Sequence, residues 1–574
     1  MIKYLFKNYI SPFKWRFALG FILLILGSFL NVLLPKILME AIDRGVDVSD
    51  ENQLIHFGLV YLTAFLFYIF SLYFMAIVLE NLGQDILIKL KTTSFYKVLN
   101  WDYHQFTKYS AGNLVSRIER DAEKVRFFFT YALVAIVQSF LMFLGMIFLM
   151  GSENKLLTLI VIAPLPLVVF LLYLLQKFVY PKFKKVRKIM AEIMSKTTEY
   201  LRGLDVLKVF NREKLYFDKY DSDNENKFKL ERNIEIVWIV FFNFIMLLTN
   251  LVIAIIFKVG APMIVKGILT YGAIVMFIEY VRQFFFPLIQ ISEQISQIQR
   301  AIASFSRIYK MHSKESKIKS GNEEIEKILN SIEFENVNFS YKVDEPVLKN
   351  ISFKIPKGEK WAIVGETGSG KSTLIKLLLR FYDVDKGRVL IDGTNIRDIK
   401  IKSLRKDISL IEQDFYLFPA TVIDNIRLFD NSITKNYIKK ICKAIKIDGF
   451  IENLPRGYDT YLREEGSNLS VGEKQLLSIA RAMVKEADLV LLDEATSSID
   501  PHTEKKIDKA MNILLKDKTS IIIAHRLNTI LDADKIIVLH EGKILEIGNH
   551  RELYKKEGYY YNLCQNQFVE KLED

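Results

Sequence analysis

The sequence predicts a multidomain chain, part all-α and part α/β: a six-helix transmembrane domain with long helical extensions beyond the membrane, then an α/β domain built around a phosphate-binding P-loop. Three observations point there. Of 574 residues 51% are hydrophobic, including 42 Phe, which is too apolar for an ordinary soluble enzyme and long enough for more than one domain. The apolar residues gather before about residue 290, in runs each near the ~20 residues that cross a bilayer core. From about Ile332 onward, short β-rich runs such as Trp361–Val364 and Leu489–Leu492 alternate with helical patterns, the arrangement of an α/β domain.

The six runs lie at about 17–38, 57–80, 128–150, 156–178, 235–258 and 268–290. The first is too long for a cleavable leader and has no small-residue cleavage site after Leu23–Leu34, so the N-terminus is expected to be retained. Orientation follows from charge. The stretches from Glu80 to Arg126 and from Lys177 to Arg232 are rich in Lys and Arg, with Lys184, Lys185, Arg187 and Lys188 together, which places them on the cytoplasmic side. The acidic segment Glu40–Glu51 then lies outside, and both termini and the whole C-terminal half lie inside. Few helix breakers interrupt the basic stretches, and Leu114, Ile118, Ala122 and Val125 share one helix face. Each pair of spans is therefore expected to continue as helix; ~40 residues reach ~60 Å, about twice the hydrocarbon thickness. Polar residues at Ser313–Lys327 mark a linker. The expected domains are thus 1–310, a linker at 311–331, and 332–574.

Composition also excludes. The net charge of +12 belongs to cytoplasmic loops rather than to nucleic-acid binding, since no basic cluster interleaves with aromatic stacking residues. Cys442 and Cys564 stand far apart in the C-terminal half and read as two free thiols, not a disulfide framework or a metal site.

Gly365-Glu366-Thr367-Gly368-Ser369-Gly370-Lys371-Ser372 is a complete P-loop, placed between the strand WAIV and the helix that begins at Thr373. Small residues let backbone N–H groups close around phosphate oxygens, and the helix N-terminus adds a favourable dipole. Lys371 is placed to reach the β- and γ-phosphates, and the Ser372 hydroxyl to ligate Mg²⁺. Downstream, Asp493 and Glu494 end the apolar run LVLL, so a buried strand is expected to bring two carboxylates to the sheet edge beside the P-loop. Asp493 suits the Mg²⁺ shell and Glu494 suits polarising the attacking water. These elements alone are shared by kinases, GTPases and helicases.

Leu469-Ser470-Val471-Gly472-Glu473-Lys474-Gln475, directly before the helix LLSIARAMV, resembles the signature sequence of the ATP-binding-cassette (ABC) family. Around it, Tyr341 in NFSY resembles the aromatic that stacks on adenine. Gln413 in LIEQDFYLF resembles the Q-loop glutamine, a further Mg²⁺ contact; Ser498-Ile499-Asp500 resembles the D-loop; and His525 in IIIAHRL resembles the switch histidine at the γ-phosphate. Each has a bland reading alone, a core tyrosine or a structural histidine, and it is the ordered set over about 340–545 that is specific. The resemblance implies an ATPase in which Glu494, His525 and Gln413 are catalytic. It also implies that Tyr341, Gly365, Thr367, Gly368, Ser369, Gly370, Lys371, Ser372 and Thr373, together with Ser470 and Gly472, bind nucleotide, with ATP and Mg²⁺ as cofactors.

In the first half, FTKYSAGNLVSRIERDAEKV and GLDVLKVFNREKLYFDKY resemble the two intracellular loops of exporters of this fold. Ser110–Asn113 and Phe210–Tyr216 are then expected near the coupling helices that dock on ATPase domains. In this family the signature of one ATPase domain closes over ATP held by another, so the chain is expected to be half of an ATP-driven exporter in a bacterial cytoplasmic membrane. Val471 stands for the usual glycine, Glu473 for the usual glutamine, and Ser498-Ile499 for Ala-Leu of the D-loop. A β-branched side chain where backbone approaches phosphate loosens that contact. A heterodimer with a different half-transporter is therefore favoured over a homodimer. Within the spans, Glu279 and Arg282, three apart, and Asn243 and Asn250 are the polar groups available to substrate or to one another. An apolar aromatic cavity with sparse polar groups suits amphipathic drugs, lipids or peptides; flipping, uptake and ATP-gated conduction are the alternatives.

Overall fold

The computed structural model describes residues 2–46, 49–342, 344–413, 415–493, 500–524 and 527–568. Glu494, Ser498, Ile499 and His525 lie outside them. The chain divides into two compact units, Met1–Asn100 with Tyr109–Glu315, and Trp101–Lys108 with Ser316–Asp574.

Among its described residues the first unit contains six helices long and apolar enough to cross a membrane: Phe6–Val46, Glu51–Leu99, Ala111–Glu153, Lys155–Arg202, Glu213–Val265 and Tyr271–His312. At 49 and 53 residues, the second and fifth exceed what a bilayer needs and continue as helix past it. Backbone groups in lipid must be satisfied within the segment, which leaves helix as the available form. Polar ties hold the helices in register. Tyr280 Oη donates to the Val32 carbonyl at 2.6 Å, joining the sixth helix to the first. Buried Asp121 accepts from Arg307 Nε and Nη2, both at 2.7 Å, and from Ser304 Oγ at 3.0 Å, joining the third to the sixth. Because the Arg307 side chain stays partly exposed, this pair joins a buried carboxylate to a guanidinium that keeps contact with solvent.

In the second unit a six-stranded sheet runs β10-β9-β3-β8-β7-β6. Its members are β3 (Lys360–Val364), β6 (Ile408–Ile411), β7 (Leu489–Asp493), β8 (Thr519–Ile523), β9 (Lys535–His540) and β10 (Lys543–Gly548). All adjacent pairs are parallel except β9 with β10. A second, antiparallel sheet β2-β1-β4-β5 comprises β1 (Ser331–Ser340), β2 (Pro346–Pro356), β4 (Lys386–Ile391) and β5 (Thr394–Asn395). Along β3, Trp361 and Ile363 enter one hydrophobic core while Ala362 and Val364 enter the other. Burial on both faces is why such strands read as unbroken apolar runs.

The segment Trp101–Lys108 clusters with this second unit although it interrupts the first in sequence. Asp102 caps the short helix Tyr103–Thr107 through the Gln105 N–H at 2.7 Å and also accepts from the Lys317 N–H at 2.8 Å. Tyr103 stacks on Phe381 at 4.6 Å and 12°. The segment that clusters with the second unit lies just before Ser110–Asn113, and Ser110 caps the next helix, Ala111–Ser116.

Candidate nucleotide site

Four of the parallel strands end at one edge, and each is followed by a motif. The P-loop follows β3, Gln413 lies two residues after β6, Asp493 is the last residue of β7, and β8 ends two residues before His525. In open α/β sheets ligands bind outside the carboxyl ends of the strands. Asp493 does not stand directly beside the P-loop strand, because β8 lies between: Asp493 pairs with Ile523, and Ile523 with Ile363. The two are still close enough to interact. Burial shifts the Lys371 ammonium below its usual range, and the Asp493 carboxylate acts against that shift.

Within the loop the backbone fits only certain residues. Gly365 lies against β9 so closely that a Cβ would meet the Leu539 carbonyl oxygen at 2.1 Å. Gly370 caps the P-loop helix Lys371–Leu378 with φ of 106°, left-handed backbone that glycine adopts without strain. Lys371 Nζ donates to the carbonyls of Gly365 and Glu366 at 2.7 and 2.9 Å. Ser369 is 4% exposed, and its Oγ has no hydrogen-bond partner among the described residues. A buried hydroxyl left bare at a helix N-terminus is a group that a phosphate oxygen would satisfy. Tyr341 Oη bonds Thr373 Oγ1 at 3.1 Å, which sets the ring over the P-loop helix, braced edge-on by Phe339 and Tyr382. Gln413 is exposed and Ser372 partly buried.

In the signature, Gly472 is buried at the start of the helix Val471–Val484. Ser470 is the N-cap of that helix and closes a capping box with Glu473. Glu473 Oε2 accepts from the Ser470 N–H at 2.8 Å and from its hydroxyl at 2.9 Å, and the Ser470 Oγ accepts from the Glu473 N–H at 3.3 Å. Sequence reasoning missed Arg481 on the same helix. Its Nε donates to the Asn425 carbonyl at 3.0 Å and its Nη1 to the carbonyl of Tyr416, three residues past Gln413, at 3.1 Å. A lone arginine in the otherwise apolar SIARAMV was the available signal.

The oxygen donors Ser372, Asp493 and Gln413 suit a hard cation such as Mg²⁺. Such an ion, when bound with nucleotide, would neutralise phosphate charge. The described residues contain no group of three or more His, Cys, Asp or Glu able to hold a metal alone.

A P-loop and a signature helix on one α/β unit, in a chain that also carries six spans, define a membrane transporter driven by nucleotide. The ABC transporter transmembrane region matches residues 17–288, and the ABC transporter domain matches residues 348–497. A probable multidrug resistance ABC transporter ATP-binding/permease protein of Bacillus subtilis is 32% identical over 88% of this chain and 76% of its own. The ATP-dependent lipid A-core flippase of Sodalis glossinidius is 30% identical over 97% and 96%. Among solved structures, a bacterial Atm1-family ABC exporter with ATP bound superposes with a TM-score of 0.79 at 27% identity, covering 98% of this chain and 99% of that one. This chain belongs to the ABC transporter family: it is an ABC exporter half-transporter, a membrane protein whose ATPase is coupled to transport.

Proposed function

We propose that the chain exports amphipathic molecules, drugs, lipids or peptides, across a bacterial cytoplasmic membrane by alternating access, with both termini and the ATPase domain on the cytoplasmic side. The observation that carries this is the convergence of the P-loop, Gln413 and Asp493 on one sheet edge in a chain with six spans. In this reading the P-loop and Lys371 grip the phosphates, and Ser372, Gln413 and Asp493 hold Mg²⁺. Tyr341 stacks on adenine, Glu494 accepts the proton of the attacking water, and His525 contacts the γ-phosphate.

The membrane unit supports an amphipathic cargo. A cavity of about 210 Å³ is lined by Tyr180, Phe183 and Trp238 together with Arg187, Glu293 and Arg300, apolar surface with a few charged groups. The membrane-embedded candidates read from sequence are engaged locally: Arg282 Nη1 donates to Glu279 at 3.1 Å, and Asn243 and Asn250 donate to carbonyls of their own helix.

A second chain is needed because one signature cannot serve its own P-loop. The exposed apolar tip formed by Val206, Val209, Phe210 and Phe217 supports this, since so much clustered apolar surface outside the membrane favours burial against a partner. A heterodimer is favoured. Val471 is exposed at the first turn of the signature helix, and the Ser470 hydroxyl is engaged by a carboxylate of its own chain, so this signature is the weaker of two and the Walker residues serve the hydrolytic site. Assaying the purified chain alone is the test: vigorous, substrate-stimulated ATP hydrolysis without a partner would exclude the heterodimer.

A further inference from the structure

The second residue of the P-loop is an acid, and the fold treats it specially. Glu366 sits in a loop whose task is to bind a polyanion, where a free carboxylate would oppose the phosphates. Instead its Oε1 accepts the Tyr559 hydroxyl at 2.8 Å. Tyr559 Oη also meets His540 Nδ1 at 2.7 Å, with the two rings 4.6 Å apart. A hydroxyl has one proton to give and an ionised carboxylate only accepts, so the proton lies toward Glu366 and His540 Nδ1 is the nitrogen that donates to Tyr559.

Each member of this chain of bonds is fixed by its own element. Val364 of β3 pairs with Val538 of β9, so Glu366 in the loop after β3 and His540 at the end of β9, each two residues further along, reach the same level. The C-terminal helix Tyr559–Phe568 is anchored where it starts. Glu546 of β10 accepts from the Tyr559 N–H at 2.9 Å and the Tyr560 N–H at 3.2 Å, and the buried Tyr560 bonds His550 Nδ1 at 2.7 Å. On the other side of Glu366, its backbone carbonyl accepts from Lys371 Nζ at 2.9 Å and from the Ser369 N–H at 3.2 Å. One residue therefore links the C-terminal helix to Ser369 and Lys371, which on the proposed reading of this site meet phosphate.

We infer that Tyr559, with His540, is a positioning residue for the ATP site: it holds the Glu366 carboxylate on the β9 side of the loop and thereby keeps the P-loop receptive to phosphate. The C-terminal helix is part of the nucleotide site on this account, although it touches no nucleotide. Losing the hydroxyl frees a negative charge beside the phosphates and unpins the carbonyl that orients Lys371, while the residues at the ends of β7 and β8 are untouched. The consequence is weaker ATP binding with unchanged chemistry.

The test is a double-mutant cycle on the full-length transporter, reading equilibrium MgATP binding together with KM and kcat for ATP hydrolysis. Tyr559→Phe should raise the Kd and KM for ATP about three- to tenfold, the range of one hydrogen bond, with kcat within about twofold. In a Glu366→Ala background the same change should alter neither constant, because no carboxylate remains to be held. An unchanged KM in Tyr559→Phe alone, or an equal rise in both backgrounds, would overturn the assignment and leave Tyr559 as a packing residue of its helix.

Discussion

Lys371 combines burial, two carbonyl partners and the field of Asp493, so its ammonium is already desolvated and aimed within the loop. Lys371→Ala should weaken MgATP binding at least ~30-fold, on the scale of a lost charge-assisted contact, as read by titration of the purified chain. Glu494 is assigned as the base from its place after β7, and Glu494→Gln should lower turnover at least ~100-fold while ATP still binds. Hydrolysis at the wild-type rate would remove that role. Lys371 was legible because a P-loop is a local pattern; Glu494 is proposed from an equally local one, the end of an apolar strand. The Glu366–Tyr559 bond was not, since its partners stand 193 positions apart and nothing in GETGSGKS shows what its acid faces.

Among elements, the short helix Tyr103–Thr107 and the signature helix matter most to function. The former is continuous in sequence with the second and third spans yet packs with Phe381 and Tyr382. Tyr103→Ala gives up a stacked pair worth ~1 kcal/mol. It should leave basal ATPase largely intact and abolish its stimulation by substrate, seen by comparing rates with and without an amphiphile. The sequence reading placed Ser110–Asn113 near such a helix from the resemblance of its stretch to an exporter loop; that Asp102 caps the helix just before it, and that two aromatics receive it, depends on residues far downstream. Arg481 shows the same limit. Its hydrogen bonds fix the signature helix to the segment after Gln413, and Arg481→Ala should destabilise the ATPase domain by roughly 2–3 kcal/mol, measured as a lowered thermal unfolding midpoint.

At the scale of the molecule, six spans, their long helical continuations and the order of the ATPase motifs could all be read from hydrophobic runs and spacing. The strand order could not, because sequence gives where strands lie but not that β8 enters between β3 and β7. Nor does periodicity reveal partners: the proposal of an unlike second chain rests on Val471 at the first turn of the signature helix and on Glu473, whose carboxylate engages the Ser470 hydroxyl. Chelation of divalent cations should stop hydrolysis and added Mg²⁺ restore it, the result expected if Ser372, Gln413 and Asp493 share a cation with the phosphates. The most direct measurement is transport itself, in inside-out vesicles carrying the complete transporter. The account predicts ATP-dependent accumulation of an amphipathic substrate in the lumen, abolished by Glu494→Gln; ATP-independent flux, or a passive ion current in its place, would contradict it.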